Sequence, residues 1–304
     1  MKTLPTLLLP ALFLVSACGG GGGGAAPDAG PGSGGGGGTG SAGTSTLALY
    51  ATDAPFDHAL VKSASIQIEE IRTHRQAGAD GGEGDWLSLY AGAPFWVNLY
   101  ELQAGLTREL VSADVPSGSY DELRLILSAA ELELTNGNVY HSDDGSLQLT
   151  SQDTSGLKLK LEPAIVAEAG FATSLLLDFD LSKTFKPVPG NDAANASKYH
   201  LHPVVHVSNL STAGQIGGFV LESDGQGGAT GVQAATVYLL APGEQDLSQA
   251  LTTTGSAASG AYALLGVDAG VYDLLAAKGA ASQRVDGIVV QAGSAQELDF
   301  LIAP

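Results

Sequence analysis

Two short stretches of this sequence combine residue types and spacings that can do chemistry: His200-x-His202-x-x-x-His206 and Asp178-x-Asp180. Imidazole is a frequent ligand for zinc and copper. On a straight strand the three histidines share one face with Val204, and Tyr199, Leu201, Val205 and Val207 take the other. The strand rise puts His200 and His202 ~7 Å apart at their backbones and His206 ~13 Å beyond His202. Two of them can share an ion; three on one straight strand cannot. The same row also reads as a solvent-facing polar strip, and Pro203 suits an edge strand because it cannot donate to a ladder. Asp178 and Asp180 would share the polar face of their own strand, ~7 Å apart. Two carboxylates so placed can hold a divalent cation, act as an acid–base pair or serve as a glycosidase couple. That spacing recurs in every Asp-x-Asp strand. An ion pair or hydrogen bond with Lys183, Lys186 or Arg124 accounts for them as well.

Other acidic positions read as structure. Asp53, ahead of Pro55, suits a turn or a cap to backbone amides. The loops Asp80–Asp85 and Asp143-Asp144-Gly145 are acidic, but neither follows the spaced ligand pattern of a calcium loop. The sequence contains no Gly-x-Ser-x-Gly elbow and no P-loop. No catalytic constellation is complete, so the expectation is a protein that is not an enzyme and requires no cofactor. A divalent cation at His200 and His202, or at Asp178 and Asp180, is the one the residues allow.

The elements that must position these residues are strands. Leu123, Leu125 and Leu127 alternate with polar or outward positions, as do Leu132 and Leu134, Leu157, Leu159 and Leu161, and Leu175, Leu177, Phe179 and Leu181. Period two with one apolar face predicts half-buried strands. Asn136-Gly137 predicts a hairpin, since both residues tolerate positive φ. Ala59–Arg72 and Leu102–Ala113 are the two stretches whose pattern also admits a helix. Farther on, alternation marks Gly217–Leu221, Ala235–Leu240, Ala261–Leu265, Val271–Ala276, Arg284–Gln291 and Glu297–Ile302. The fold class read from this is all-β: two antiparallel β-sandwich domains, 46–213 and 214–304, after a disordered Gly-rich tether. Residues 19–43 are mostly glycine without a Gly-X-Y period, so they can form neither a core nor collagen. A coil of this length has a typical end-to-end distance of ~25–30 Å, and full extension reaches roughly 80 Å.

Charge narrows the partners. The formal net charge is −19 over 304 residues. Such a surface repels nucleic acid and anionic headgroups, and suits cationic ligands or divalent ions. Aromatic content is only 6%, with Trp86 and Trp96 the only tryptophans, which argues against a stacked-aromatic sugar platform.

Leu14-Val15-Ser16-Ala17-Cys18 follows Lys2 and an apolar run from Leu4 to Val15. The run is shorter than the ~20 residues a membrane-spanning helix needs, and it ends in small residues like a cleaved export signal. This order resembles a bacterial lipoprotein signal with its lipobox. The resemblance implies a signal peptide over 1–17, cleavage before Cys18 and a diacylglycerol on its sulfur, with 18–45 as acylated cysteine and tether. Cys18 is the single cysteine, so acylation leaves no thiol for a disulfide. Gly19 rather than Asp after the cysteine implies the outer membrane, facing the periplasm or the cell surface.

The segment from about 46 to 211 resembles DUF4382, a bacterial domain family of unknown function found in secreted and lipid-anchored proteins. The matching pieces are Leu49–Pro55, Trp86 ahead of Val97-Asn98-Leu99, Val115–Leu127, Gly156–Leu159, Leu177–Asp180 with Lys183, and Tyr199–Val205. Thr184 and His202 stand where the family often carries Ser and Lys. The family assigns no catalytic residue. The segment 214–304 is similar to the carboxypeptidase-regulatory-like β-sandwich, a transthyretin-like relative of Cna-B repeats. That similarity rests on Gly231-Val232 leading into Ala235–Leu239, on Thr252 and Thr254 running into Gly260-Ala261-Tyr262, and on Gly270–Leu274 with Gly279. It implies a stalk or binding module in which each tyrosine ring packs with its hydroxyl at the edge. Isopeptide-forming relatives need a Lys opposite an Asn; here Lys278 is the only lysine of the segment and there is no Asn.

The reading that follows is a lipid-anchored envelope or cell-surface binding or structural protein, adhesin- or matrix-like. Its partners would be the membrane through Cys18 and a polysaccharide or another envelope protein, not nucleic acid. The alternatives are an envelope-polymer hydrolase using Asp178 and Asp180, and a periplasmic metal-binding lipoprotein using His200 and His202.

Overall fold

Alternating burial along each strand sets the architecture. In a computed structural model, the described residues are 43–54, 60–77, 84–149, 156–190, 192–224 and 228–303. Cys18, the signal and the tether up to residue 42 lie outside them, whereas Thr44 and Ser45, expected in the tether, already form the start of β1. The first set of strands is β1 (Thr44–Ala54), β2 (Val61–Arg75), β3 (Asp85–Tyr90), β4 (Phe95–Asn98), β5 (Arg108–Pro116), β6 (Gly118–Leu134), β7 (Val139–His141), β8 (Leu147–Leu149), β9 (Leu157–Ala167), β10 (Ala172–Asp180), β11 (Phe185–Val188), β12 (Lys198–Leu201) and β13 (Val205–Asn209). A four-residue helix, α1 (Leu181–Thr184), separates β10 from β11. The second set is β14 (Gly214–Ser223), β15 (Ala229–Gly231), β16 (Thr236–Leu240), β17 (Thr252–Gly255), β18 (Ala261–Val267), β19 (Gly270–Lys278), β20 (Ala281–Val290), β21 (Ala295–Glu297) and β22 (Phe300–Ile302).

The first sandwich faces a sheet ordered β13-β10-β1-β5 against one ordered β3-β2-β6-β7, where β4 also pairs β2 and β9 also pairs β6. Leu47, Leu49 and Ala51 of β1 and Leu175, Leu177 and Phe179 of β10 point into the shared core. Ile66, Ile68 and Ile71 of β2 and Leu123, Leu125 and Leu132 of β6 meet them from the other side. Each of the leucine, isoleucine and phenylalanine side chains among these, fully buried, contributes roughly 1.5–3 kcal/mol. A small sheet, β11-β12-β8, closes one end. The second sandwich packs β14, β15, β18, β21 and β22 against β17-β16-β19-β20. Its separate core includes Ile216, Val220, Val237, Tyr262, Leu274 and Phe300.

The all-β class is what the alternation predicts, and most pairings are antiparallel. Four are not: β1 with β10, β8 with β12, and β14 with β21 and with β22 run parallel. Long connections around the sandwich bring these strands together, and strand alternation does not encode direction. Asn136-Gly137 does turn β6 into β7, with Gly137 at φ +90° and its amide bonded to the Leu134 carbonyl at 3.0 Å. Neither helix-compatible stretch is a helix. Most of the first is β2, where Ala64, Ile66 and Ile68 are buried at alternate positions. The second becomes β5 after a short 3-10 turn at Leu99–Leu102. Pro163 lies in β9 where its pairing with β6 shifts register, so its missing N–H costs no ladder bond.

Between the sandwiches, the connection is pinned. The Thr212 and Ala213 amides bond the Asn209 carbonyl at 3.1 and 2.8 Å, and the Gln215 amide bonds the Ser294 carbonyl at 2.8 Å. A Cβ added at Gly105 would sit 2.5 Å from the Ala263 Cβ, and one at Gly266 would sit 2.7 Å from the Ser208 Cβ. The two glycines, at φ +79° and +69°, are what let the two layers approach.

Candidate functional site

The seam between the sandwiches holds the acidic residues singled out by spacing. In the register across β1, β10 and β13, Thr52, Asp178 and His206 stand side by side on the face away from the first core. From the second sandwich, the Thr252 hydroxyl donates to Asp178 Oδ2 at 2.8 Å. Enclosure there pushes the Asp178 carboxyl up to about 6; the Thr252 bond and the nearby His206 pull it down, and Asp180 pushes it up. Thr52 donates to the carbonyls of Leu106 and Leu102 at 2.9 and 3.2 Å.

Asp180 is used differently. It caps α1, accepting from the Lys183 amide at 3.2 Å, and pairs with Lys183 Nζ at 2.9 Å. One carboxylate therefore lies under Thr252 and the other serves a helix start. The cavity beside Asp178, lined among others by Thr52, Asp53, Thr252 and Thr254, has a volume of about 10 Å³. That is the space of a single water, far too small to admit a sugar ring beside Asp178.

Asp53 is 3% exposed, its carboxylate oxygens lack a hydrogen bond of full geometry among the described residues, and the Leu181 amide is the backbone donor that acts on it. Burial holds its carboxyl well above the usual range, the charges of Asp178 and Asp180 push the same way, and the Leu181 amide pulls against them. Its strand partner is Phe179, not Asp178. In a parallel pair this places Asp53 on the opposite face of the β1–β10 ladder from Asp178.

The histidine row is broken. The chain leaves one sheet after Leu201 and joins another at Val205. Pro203 stands at that break, where the Val204 amide donates to Thr184 Oγ1 at 3.2 Å and the His202 amide to the Thr184 carbonyl at 2.8 Å. His206 is thereby carried to Asp178, away from its neighbours in sequence. His200 and His202 stay together, their ring centroids 6.1 Å apart and tilted by 47°. His200 Nε2 is buried without a hydrogen-bond partner. Among the described residues, no group of three or more His, Cys, Asp or Glu side chains is placed to hold a metal. A shared ion would have only these two imidazoles from that group.

Sequence reasoning used Thr252 only as part of the second segment's family pattern and did not foresee it as a partner of Asp178. It lies 74 residues from Asp178, and nothing local marks a threonine as the partner of a distant carboxylate. It also undervalued Trp86 and Trp96, which are 39% and 43% exposed. Both alternate out of phase with the inward-facing Leu87, Leu89 and Val97, and that phase was the available signal.

In the second sandwich two tyrosine hydroxyls bond backbone carbonyls. The Tyr262 hydroxyl donates to the Leu298 carbonyl at 2.7 Å and that of Tyr272 to the Asp268 carbonyl at 3.0 Å. Lys278 Nζ donates to the Ala234 carbonyl at 2.9 Å. Among the described residues, no helix is long and apolar enough to cross a membrane.

Residues 44–203 match DUF4382, a domain of unknown function. No curated protein matches the chain. Among solved structures, it is similar to the Bacillus anthracis TIE protein at 8% identity and a TM-score of 0.23, covering 86% of this chain and 34% of that one. It is also similar to GBS52, the minor pilin of Streptococcus agalactiae, at 10% identity and 0.23, covering 84% and 95%. The shaft pilin SpaA of Lactobacillus rhamnosus GG gives 10% and 0.24, covering 86% and 97%. The chain spans about a third of the TIE protein's length. Likeness at this level carries no functional argument.

Proposed function

We propose, from the premise that this chain belongs to the DUF4382 family, that it is a lipid-anchored, non-catalytic binding and structural module of the bacterial envelope. In this reading Cys18 carries the lipid and the Gly-rich stretch spaces the folded part from the membrane. The DUF4382 sandwich then presents the interaction surface, and a carboxypeptidase-regulatory-like sandwich backs it. The observation that carries the reading is the use to which the acidic pair is put. The residues best spaced for hydrolysis are committed to a sandwich seam and a helix cap, with single-water space between layers. The lipobox order of residues 14–18 supports the anchor. Replacing Cys18 with Ser should move the protein from the membrane fraction to the soluble fraction of fractionated cells. Unchanged sedimentation with membranes would remove the anchor from the account.

A second reading, metal binding at His200 and His202, is favoured by the 6.1 Å ring separation and the unpartnered His200 Nε2. Titration calorimetry with Zn²⁺ and Cu²⁺ on the wild type and His200→Ala tests it. Heat that disappears in the variant supports the site, and no heat at millimolar metal eliminates it.

A further inference from the structure

The outer face of the β3-β2-β6-β9 sheet differs from the rest of this acidic chain. Strand register places Trp86 beside His74, Glu122 and Lys160 in one row. Ser88, Arg72, Arg124 and Lys158 form the next. Farther along β2, Gln67 stands beside Trp96 of β4. All lie opposite the buried Ile66, Ile68, Ile71, Leu123 and Leu125. Both tryptophans of the chain share one face because the β2 bulge between Gln67 and Glu70 restores the phase across an odd separation, leaving them roughly 20 Å apart along β2.

Four of the chain's thirteen Lys and Arg residues lie here, against the carboxylates Glu70, Glu122 and Asp121. Arg72 is held by Glu70 at 2.6 Å, while Glu122 takes Arg124 at 2.7 Å and Lys160 at 2.5 Å. The Arg124 guanidinium stacks 3.9 Å from the Trp86 ring centre, and the His74 ring, paired with Asp121 at 2.7 Å, lies 5.1 Å from that ring. Lys158 has no ion-pair partner among the described residues. The cation stems and ring are therefore fixed before any ligand arrives, while much of each tryptophan stays open. Pre-ordered groups lose little entropy on binding.

We infer that this face binds an anionic polysaccharide, the tryptophans stacking on sugar rings and Arg72, Lys158 and Lys160 meeting its carboxylate or sulfate groups. The charge argument is one of contrast: a net charge of −19 repels a polyanion from most of the surface, so attachment is directed to the patch beside Trp86 where Arg72, Arg124, Lys158 and Lys160 gather and Lys158 is left without an ion pair among the described residues. A lipid surface fits less well. The Arg–Glu and Gln67–Ser128 pairs offer both donors and acceptors, and no apolar side-chain cluster beyond the two tryptophans projects from this face for insertion. This inference rests on the binding-module reading and supplies its partner class.

The test uses the purified full chain and polygalacturonate, with dextran as the neutral polymer and phosphatidylglycerol vesicles as the anionic lipid. Affinity electrophoresis and tryptophan fluorescence give the apparent affinity. The expected result is retardation by polygalacturonate and not by dextran. The exposed-residue variant Trp96→Ala should weaken it by about tenfold or more, as losing an aromatic anchor does. Lys158→Gln should weaken it less and flatten its salt dependence. Both variants should keep the wild-type melting temperature, which separates lost binding from lost fold. No retardation, or retardation unaffected by Trp96→Ala, overturns the proposal. Binding to the vesicles but not the polymer overturns it in favour of a membrane face. Membrane attachment of the chain in cells is read independently, so a failed glycan assay and a failed anchor remain distinct.

Discussion

Asp178 is the residue whose position has the clearest measurable consequence. Its carboxyl is raised to about 6 by enclosure, against 3.8 ordinarily. A raised carboxyl binds its proton more tightly in the folded chain than in the unfolded one. Its contribution therefore favours folding fully below pH 4 and is lost as pH rises through about 6. Asp178→Asn keeps an oxygen for the Thr252 hydroxyl and removes the charge. The variant should match the wild type near pH 4 and exceed it at pH 7 by on the order of 2–3 kcal/mol. Denaturant unfolding at both pH values checks this; a difference that is the same at pH 4 and pH 7 would contradict the enclosed-carboxyl account. Carboxylates such as Glu122 act in the opposite sense. Burial pushes Glu122 up, but Lys160 and Arg124 outweigh it and leave it lowered, so its contribution is lost as pH falls. Comparing variant with wild type at each pH removes that shared background.

At the scale of elements, the strands were legible and their partners were not. The apolar rows of β6, β9 and β10 appear in the sequence as alternate leucines, and Asn136-Gly137 announces its hairpin. The break between β12 and β13 did not show, because Tyr199 to Val207 alternates without interruption and only Pro203 hints at a change of sheet. That break separates His206 from His200 and His202, and it undoes the single-face histidine row. Turn glycines are the other element-level devices. Gly260 sits at φ +83°, where an added Cβ would lie 2.4 Å from the Val220 carbonyl oxygen and 2.8 Å from the Gly231 Cα. Backbone cannot yield as a flexible side chain can. Gly260→Ala should cost about 2–4 kcal/mol, combining the left-handed conformation with the overlap. Gly243, at φ +81° with nothing within 4 Å of an added Cβ, should show only the smaller conformational cost. Thermal unfolding of the two variants tests the contrast, and equal losses would refute it.

For the whole molecule, the sequence resolved two apolar segments but not how they meet. Thr252 with Asp178, and the Gly105–Ala263 and Gly266–Ser208 approaches, join positions far apart in the chain, and no local pattern encodes such pairs. Their consequence is a seam that a side chain would force open. Gly266→Val should speed amide exchange at Thr252–Gly255 while leaving that at Leu123–Leu125 in the first core unchanged; exchange as slow as in the wild type at the seam would mean the contact is not close. The same distance from local pattern explains the two tryptophans. Composition made them look too sparse for a platform, and only strand pairing puts both on one face.

The measurement that most directly tests the account is labelling of intact cells with a membrane-impermeant amine reagent, reading Lys158, Lys160 and Lys278 by mass spectrometry beside a periplasmic control protein. We propose that the module is displayed on the outer face of the envelope, which predicts labelled lysines with the control untouched. Labelling that appears only after the outer membrane is permeabilised would contradict display at the cell surface and place the module inside the envelope.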